Sequence, residues 1–185
     1  MPAFYLTLIA VLLAGFGARD QVTIAGLGLK QGQRPGVLIV AITSAALTGA
    51  FAGYAAHFML DQLPPPARTI FAAIALGMAG LESLILAPRR DPREPTSSLG
   101  ALALVLLAHQ VTDAARFVIF GMAVGFASSW HAGAAGILGG VALVSFAWAR
   151  PDLLGMPAAR MIRRIVGGLL LLAAITMFFS EFGIV

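Results

Sequence analysis

Six long apolar runs alternate with short polar breaks along the chain. They cover about Pro2 to Leu29, Gly36 to Leu60, Ala67 to Ala87, Leu99 to Phe126, Ala132 to Ala149 and Met161 to Phe182. Each is near or above the roughly 20 residues that cross a hydrocarbon core as a helix. The breaks carry turn and charge signals: Lys30 to Pro35, Asp61 to Pro66 with three consecutive prolines, Pro88 to Ser98, Ser128 to His131, and Arg150 to Arg160. No barrel-type alternation is present, and an open sheet edge cannot exist in lipid. The pattern predicts an all-α, polytopic membrane protein with six transmembrane helices.

Composition agrees. Of 185 residues, 59% are hydrophobic and 11% charged, with a mean hydropathy of +0.93, whereas a soluble domain carries about 25% charged residues. Six spans use about 120 residues and leave about 65, too few for a sizeable extramembrane domain. The absence of cysteine excludes disulfides, thiolate metal sites and cysteine nucleophiles. A pI near 10.7 would suit a nucleic-acid partner, but the basic residues sit in short loops between apolar runs, where they set topology. The bilayer, not nucleic acid, is the expected partner. No basic region precedes the apolar stretch Met1 to Ala14, which reads as the first span rather than a cleaved signal.

Lys30, Arg34, Arg89, Arg90, Arg93, Arg150, Arg160, Arg163 and Arg164 lie in the first, third and fifth connections, nine in all; the opposite side has Arg68 alone. The positive-inside rule then puts those connections in the cytoplasm and both termini outside. Trp130 and Trp148 fall near opposite interfaces. Three spans precede and three follow the Pro88 to Ser98 connection, and the halves keep register. Asp20 and Asp113 are 93 residues apart, and Ala67-Arg68 and Ala159-Arg160 are 92 apart. Triplets of odd number must be inverted relative to each other, giving repeats at 1–90 and 99–185 joined by a linker at 91–98. Many secondary transporters are built this way, with the site where the repeats meet.

The informative residues are charges inside apolar runs. The first run contains Arg19, Asp20, Gln21 and Thr23, and the fourth contains His109, Gln110, Thr112, Asp113 and Arg116; Glu82 lies in the third. An ionised side chain at the bilayer centre costs roughly 2.5–3.5 kcal/mol on insertion scales. On a continuous helix His109, Asp113 and Arg116 form one stripe. Arg19, Asp20 and Gln21 fan around the axis and share a groove only if the helix distorts, which Gly15 and Gly17 permit. One reading is structural, pairing Arg19 with Asp113 and Arg116 with Asp20. The other is a polar pathway in which carboxylates carry a cation or proton and His109 relays protons. His57 and His131 lie near the outer interface as solvated residues. The seven methionines are scattered, as filler. Gly49/Gly53, Gly121/Gly125 and Gly136/Gly140 match small-xxx-small packing and offer faces for close helix approach or a homodimer.

Two inverted triplets with a polar motif in the first helix of each resemble the Golgi-type calcium/manganese–proton exchanger family, whose signature is E-x-G-D-(K/R)-(S/T) once per half. Ile24 through Arg34 to Val37 resembles the continuation of that family's first helix. Ile137-Leu138-Gly139-Gly140 and Arg164-Ile165-Val166-Gly167-Gly168-Leu169 resemble its fifth and sixth helices. The signature itself departs. Aligned through Ile24, its glutamate falls on Phe16 and its aspartate on Arg19; a shift restores Asp20 but sets Gly17 at the glutamate. In the second half the glutamate falls on His109 or Gln110, and the aspartate on Thr112 or Asp113. By the shifted alignment Asp20 and Asp113 carry over.

The resemblance implies a bacterial inner-membrane cation–proton antiporter carrying Mn²⁺ or Ca²⁺ as cargo, with no resident cofactor. Asp20 and Asp113 are the expected metal and proton carriers; Gln21, His109 and Gln110 line the site. Arg19, Arg116, Thr112, Thr23 and Glu82 complete the polar pathway. Arg19 and Arg116 against Asp20, Asp113 and Glu82 give +2 − 3 = −1, a modest charge for a cation that takes 6–8 oxygens. Two alternatives stand: an exporter of an anionic or zwitterionic solute held by Arg19 and Arg116, and a scaffold whose charges are structural. No HExxH and no interfacial nucleophile–base pair is present, so an enzyme is not expected.

Overall fold

The computed structural model describes residues 1–86, 98–155 and 157–184, and among these every regular element is helical. The Arg89–Arg93 loop and all but the last residue of the 91–98 linker lie outside the described residues. The helices are α1 (Pro2–Gly15), α2 (Arg19–Gln31), α3 (Pro35–Gln62), α4 (Pro65–Ile85), α5 (Leu99–Val111), α6 (Ala114–Gly125), α7 (Ser129–Ala149) and α8 (Pro157–Glu181). A short 3₁₀ turn, Leu153–Gly155, precedes α8. Prolines open α1, α3 and α4 in their first turns, where a missing N–H is harmless. The Ser98 hydroxyl caps α5 by accepting from the Ala101 amide.

Among the described residues four helices, α3, α4, α7 and α8, are long and apolar enough to cross a membrane alone; taking each bent pair, α1 with α2 and α5 with α6, as one span raises the count to six. These apolar helices mark a multi-pass membrane protein. The first and fourth runs are therefore each two helices, not one. α1 meets α2 at 57° and α5 meets α6 at 49°. Gly17 turns the first break with φ +73°, a conformation that costs a side-chain-bearing residue about 1–2 kcal/mol. The second break has its own signal: Asp113 is the N-cap of α6, its carboxylate accepting from the Ala115 amide at 3.3 Å. Asp113 thus stops one helix and starts the next, and the expected continuous stripe of His109, Asp113 and Arg116 does not form.

α3 packs on α7, α4 on α8 and on α6, and α1 on α7 and α6. Small residues set these distances. A Cβ on Gly53 would lie 2.9 Å from the Gly133 Cα, and one on Gly80 would lie 2.8 Å from the Gly167 carbonyl oxygen. Gly49 faces Ile137, Gly121 faces Ala72 and Ala75, and Gly136 faces Ile119. The glycine faces singled out from the sequence are thus filled within the chain, and a homodimer would have to use other surface. α8 is peripheral: 17% of its apolar stretch is buried, against 44–50% in α3, α4 and α7. It starts earlier than its apolar run suggested, so Arg160, Arg163 and Arg164 stand in its first turns rather than in a loop.

Candidate functional site

The two breaks meet in the interior. Breaking a helix in an apolar medium orphans the carbonyls before the break and the amides after it, and here polar side chains take them up. At the first break the Gln21 side chain folds back: its Oε1 accepts from the Gly17 amide at 3.2 Å, and its Nε2 donates to the Gly15 carbonyl. At the second, Arg19 reaches across from α2 to the end of α5. Its Nη2 donates to the Thr112 hydroxyl at 2.8 Å and to the Thr112 and His109 carbonyls at 3.2 and 3.4 Å. A cation at a helix C-terminus is favourable, so Arg19 is a capping residue supplied by the other half of the chain. Thr23 donates its hydroxyl back to the Arg19 carbonyl within α2.

Asp20 is the least expected member. It is 3% exposed, and its partners are neutral donors: the Gln21 amide on Oδ1 at 2.7 Å and Gln110 Nε2 on Oδ2 at 2.9 Å. Among the described residues no ion pair reaches it. A directed chain of donors leads to it instead. Arg116 donates Nε and Nη2 to the Thr48 hydroxyl oxygen at 3.0 and 2.9 Å. Thr48 lies 3.2 Å from Gln110 Oε1 as a donor, with the Ser44 carbonyl as its competing acceptor. Gln110 then donates to Asp20. The Arg116 and Gln110 links present their positive ends toward the carboxylate, while the single Thr48 hydrogen is shared among the Ser44 and Ala45 carbonyls at 2.9 and 3.3 Å and Gln110 Oε1.

The remaining charges alternate in sign. Arg19 Nε lies 3.6 Å from Glu82 Oε1; Glu82 Oε2 accepts from Arg163 Nη2; that nitrogen lies 3.8 Å from Asp113 Oδ1; and Asp113 Oδ2 lies 3.7 Å from Arg116 Nη1. The expected pairing of Arg19 with Asp113 and Arg116 with Asp20 is therefore wrong. Arg19 pairs with α4, and Arg116 pairs with the cap of its own helix, three residues back. Arg163 was missed because it counted as a loop charge, yet it is 2% exposed. A signal was present: Arg163 and Gly167 are one turn apart on α8, and Gly167 packs against Gly80 and Ser83 beside Glu82. With Arg163 included the sum is +3 − 3 = 0, not −1, and Arg163 drops out of the nine basic residues counted for topology.

All the expected pathway residues except His109 thus contribute side chains to this network or its caps. His109 contributes its carbonyl, and its ring Nδ1 is buried without a hydrogen-bond partner among the described residues. The same holds of Glu82 Oε1, Asp113 Oδ1, and Arg163 Nε and Nη1. Among the described residues no three acidic or histidine side chains converge as metal ligands. His57 and His131 flank a separate cavity of about 410 Å³ with Asp61 and Arg68. No family model, no curated protein and no solved structure matches the chain.

Proposed function

We propose that the protein is a secondary transporter rather than an enzyme, exchanging a small inorganic cation for protons at the junction of the two broken helices. Asp20 is the carrying carboxylate. The observation behind this is its isolation: a buried carboxylate on a broken helix, held by two neutral donors, inside a protein that pairs its other buried charges. A structural network would pair Asp20 as well, because an unpaired charge in hydrocarbon is costly. Discontinuous helices whose half-helix ends line a polar centre are the usual architecture of transporter sites. Asp20 in the first turn of α2 and Asp113 at the cap of α6 stand at half-helix N-termini, whose dipoles favour the ionised carboxylate.

In this reading the six spans form two inverted three-helix repeats, residues 1–90 and 99–185, joined by the 91–98 linker. α1–α2 corresponds to α5–α6, α3 to α7, and α4 to α8. The prominent interfaces α3–α7 and α4–α8 join helices that this reading makes equivalent. Both termini lie outside and the Arg89–Arg93 connection in the cytoplasm of a bacterial inner membrane. The relation to the Golgi-type calcium/manganese–proton exchangers enters as part of this proposal. The anionic-solute alternative is less well supported: Arg19 Nη2 and Arg116 Nε and Nη2 already donate to the end of α5 and to Thr48. The test is flux in proteoliposomes under an imposed pH gradient with Mn²⁺, Ca²⁺, Na⁺ and K⁺ in turn. Coupled proton and cation movement is expected for at least one; its absence for all four overturns the reading.

A further inference from the structure

The Glu82–Arg163–Asp113 cluster is built differently from a structural salt bridge. A strut buried in a membrane satisfies its lone pairs and N–H groups, because each orphan there is costly. Here five polar atoms in one place, Arg19 Nε, Glu82 Oε1, Asp113 Oδ1, and Arg163 Nε and Nη1, lack hydrogen-bond partners among the described residues, Arg19 Nε and Glu82 Oε1 meeting only as an ion pair at 3.6 Å. A single nitrogen, Arg163 Nη2, stands between carboxylates from two different helices, against Glu82 Oε2 on α4 and 3.8 Å from Asp113 Oδ1 at the start of α6. A point of positive charge between two convergent carboxylates is where a small cation would sit. Arg163 also has somewhere to go. It lies in the early turns of α8, the most peripheral helix, beside Arg160 and Arg164, which are exposed. A long arginine stem there can retract its head toward the interface.

We propose that Arg163 is a tethered counter-ion: its guanidinium holds the cation seat between Glu82 and Asp113 and yields that seat when cargo binds. This rests on the reading of the protein as a cation–proton exchanger and deepens it by seating the cation between Glu82 and Asp113 while Asp20 carries the proton. With Arg163 in place, Arg19, Arg116 and Arg163 balance Asp20, Glu82 and Asp113. With it withdrawn, Arg19 and Arg116 face three carboxylates, so the site carries −1 and attracts a cation. The tether thereby keeps the cargo-free site neutral, and cargo must compete with it.

The experiment compares wild type, Arg163→Lys and Arg163→Gln. Exchange is measured in proteoliposomes, and thermal stability in detergent across a titration of Mn²⁺, Ca²⁺, Na⁺ and K⁺ chlorides. Arg163→Gln should lower the KM for the cation by about tenfold or more, since the competing charge is gone. Its Tm should be depressed in cation-free buffer and recover as cation is added, a response much weaker in wild type. Arg163→Lys keeps a tethered charge without the guanidinium fork and should fall between wild type and Arg163→Gln in both KM and cation-dependent Tm. An unchanged KM together with a Tm that ignores cations overturns the tether and leaves the exchanger reading standing. If wild type exchanges no cation, the exchanger reading fails, and the Tm titration alone decides the seat: cation-specific recovery of Arg163→Gln upholds it, and its absence removes it. Should Arg163→Gln fail to fold, Glu82→Gln/Arg163→Gln removes the pair as a unit. Wild-type exchange in that variant overturns the proposal, whereas lost exchange at a near wild-type Tm upholds it.

Discussion

Adjacent glycines on α8 separate close packing from helix propensity. A Cβ on Gly167 would lie 2.8 Å from the Ser83 Cβ and 3.0 Å from the Gly80 carbonyl oxygen, while one on Gly168 meets nothing within 4 Å. Ordinary contact begins near 3.4 Å, so Gly167→Ala forces α4 and α8 apart by about 3.4 − 2.8 = 0.6 Å. Both obstacles are fixed to backbone, and no rotamer change relieves them. Overpacking of this kind costs about 1–3 kcal/mol, and both substitutions gain the same helix propensity, about 0.8–1.0 kcal/mol. The two variants should therefore differ by about 1–3 kcal/mol, with Gly168→Ala at or above wild type. At about 2–4 °C per kcal/mol for a chain of this length, their melting temperatures should lie about 2–12 °C apart in detergent-solubilised protein followed by circular dichroism. Equal melting temperatures would refute the claim that α4 and α8 touch at Gly80 and Gly167, the contact that brings Glu82 to Arg163.

Other consequences are as specific. Glu82→Ala strips Arg19 and Arg163 of their shared carboxylate and should lower stability by about 1–5 kcal/mol, the lower figure reflecting weaker couplings in lipid; adding Arg163→Met should restore most of it in a double-mutant thermal cycle. Ala127 has φ +47° at the end of α6, where the Ser128 amide bonds the Ala123 carbonyl and the Ala127 amide bonds Val124, a helix stop that favours glycine. Ala127→Gly should therefore raise stability by about 1 kcal/mol, read as a higher Tm. Gln31 and Gln62 flank α3 at opposite ends in a chain without natural cysteine. A membrane-impermeant thiol reagent added outside intact cells should label Gln62→Cys and spare Gln31→Cys; the reverse pattern inverts the orientation.

The helices were legible because apolar length is dictated by the bilayer: all six runs reappear, with ends shifted by a few residues. The first break was legible in Gly15 and Gly17. The second was hidden because Asp113 reads equally as a charge on a helical stripe and as an N-cap, and only tertiary structure chooses. That choice removed the His109 ring from the stripe and turned Gln110 inward to Asp20. Pairing was the least legible layer. Arg19, Arg116 and Arg163 have long, flexible stems, so their partners depend on how closely helices approach. That spacing is set by glycines such as Gly80 and Gly167, far apart in sequence. Arg163 shows the cost of reading a basic cluster as loop charge: one of its members is the largest fully buried side chain among the described residues.

The most direct test of the account is exchange by Asp20→Asn in proteoliposomes under a pH gradient, with thermal stability measured on the same preparation. Asparagine keeps an oxygen for one of the two donors, the Gln21 amide or Gln110 Nε2, and cannot carry a proton or a charge. Because no ion pair among the described residues depends on Asp20, its Tm should remain within about 4 °C of wild type, roughly 1 kcal/mol. Exchange should be abolished. Wild-type exchange by a well-folded Asp20→Asn protein would contradict the assignment of Asp20 as the carrier.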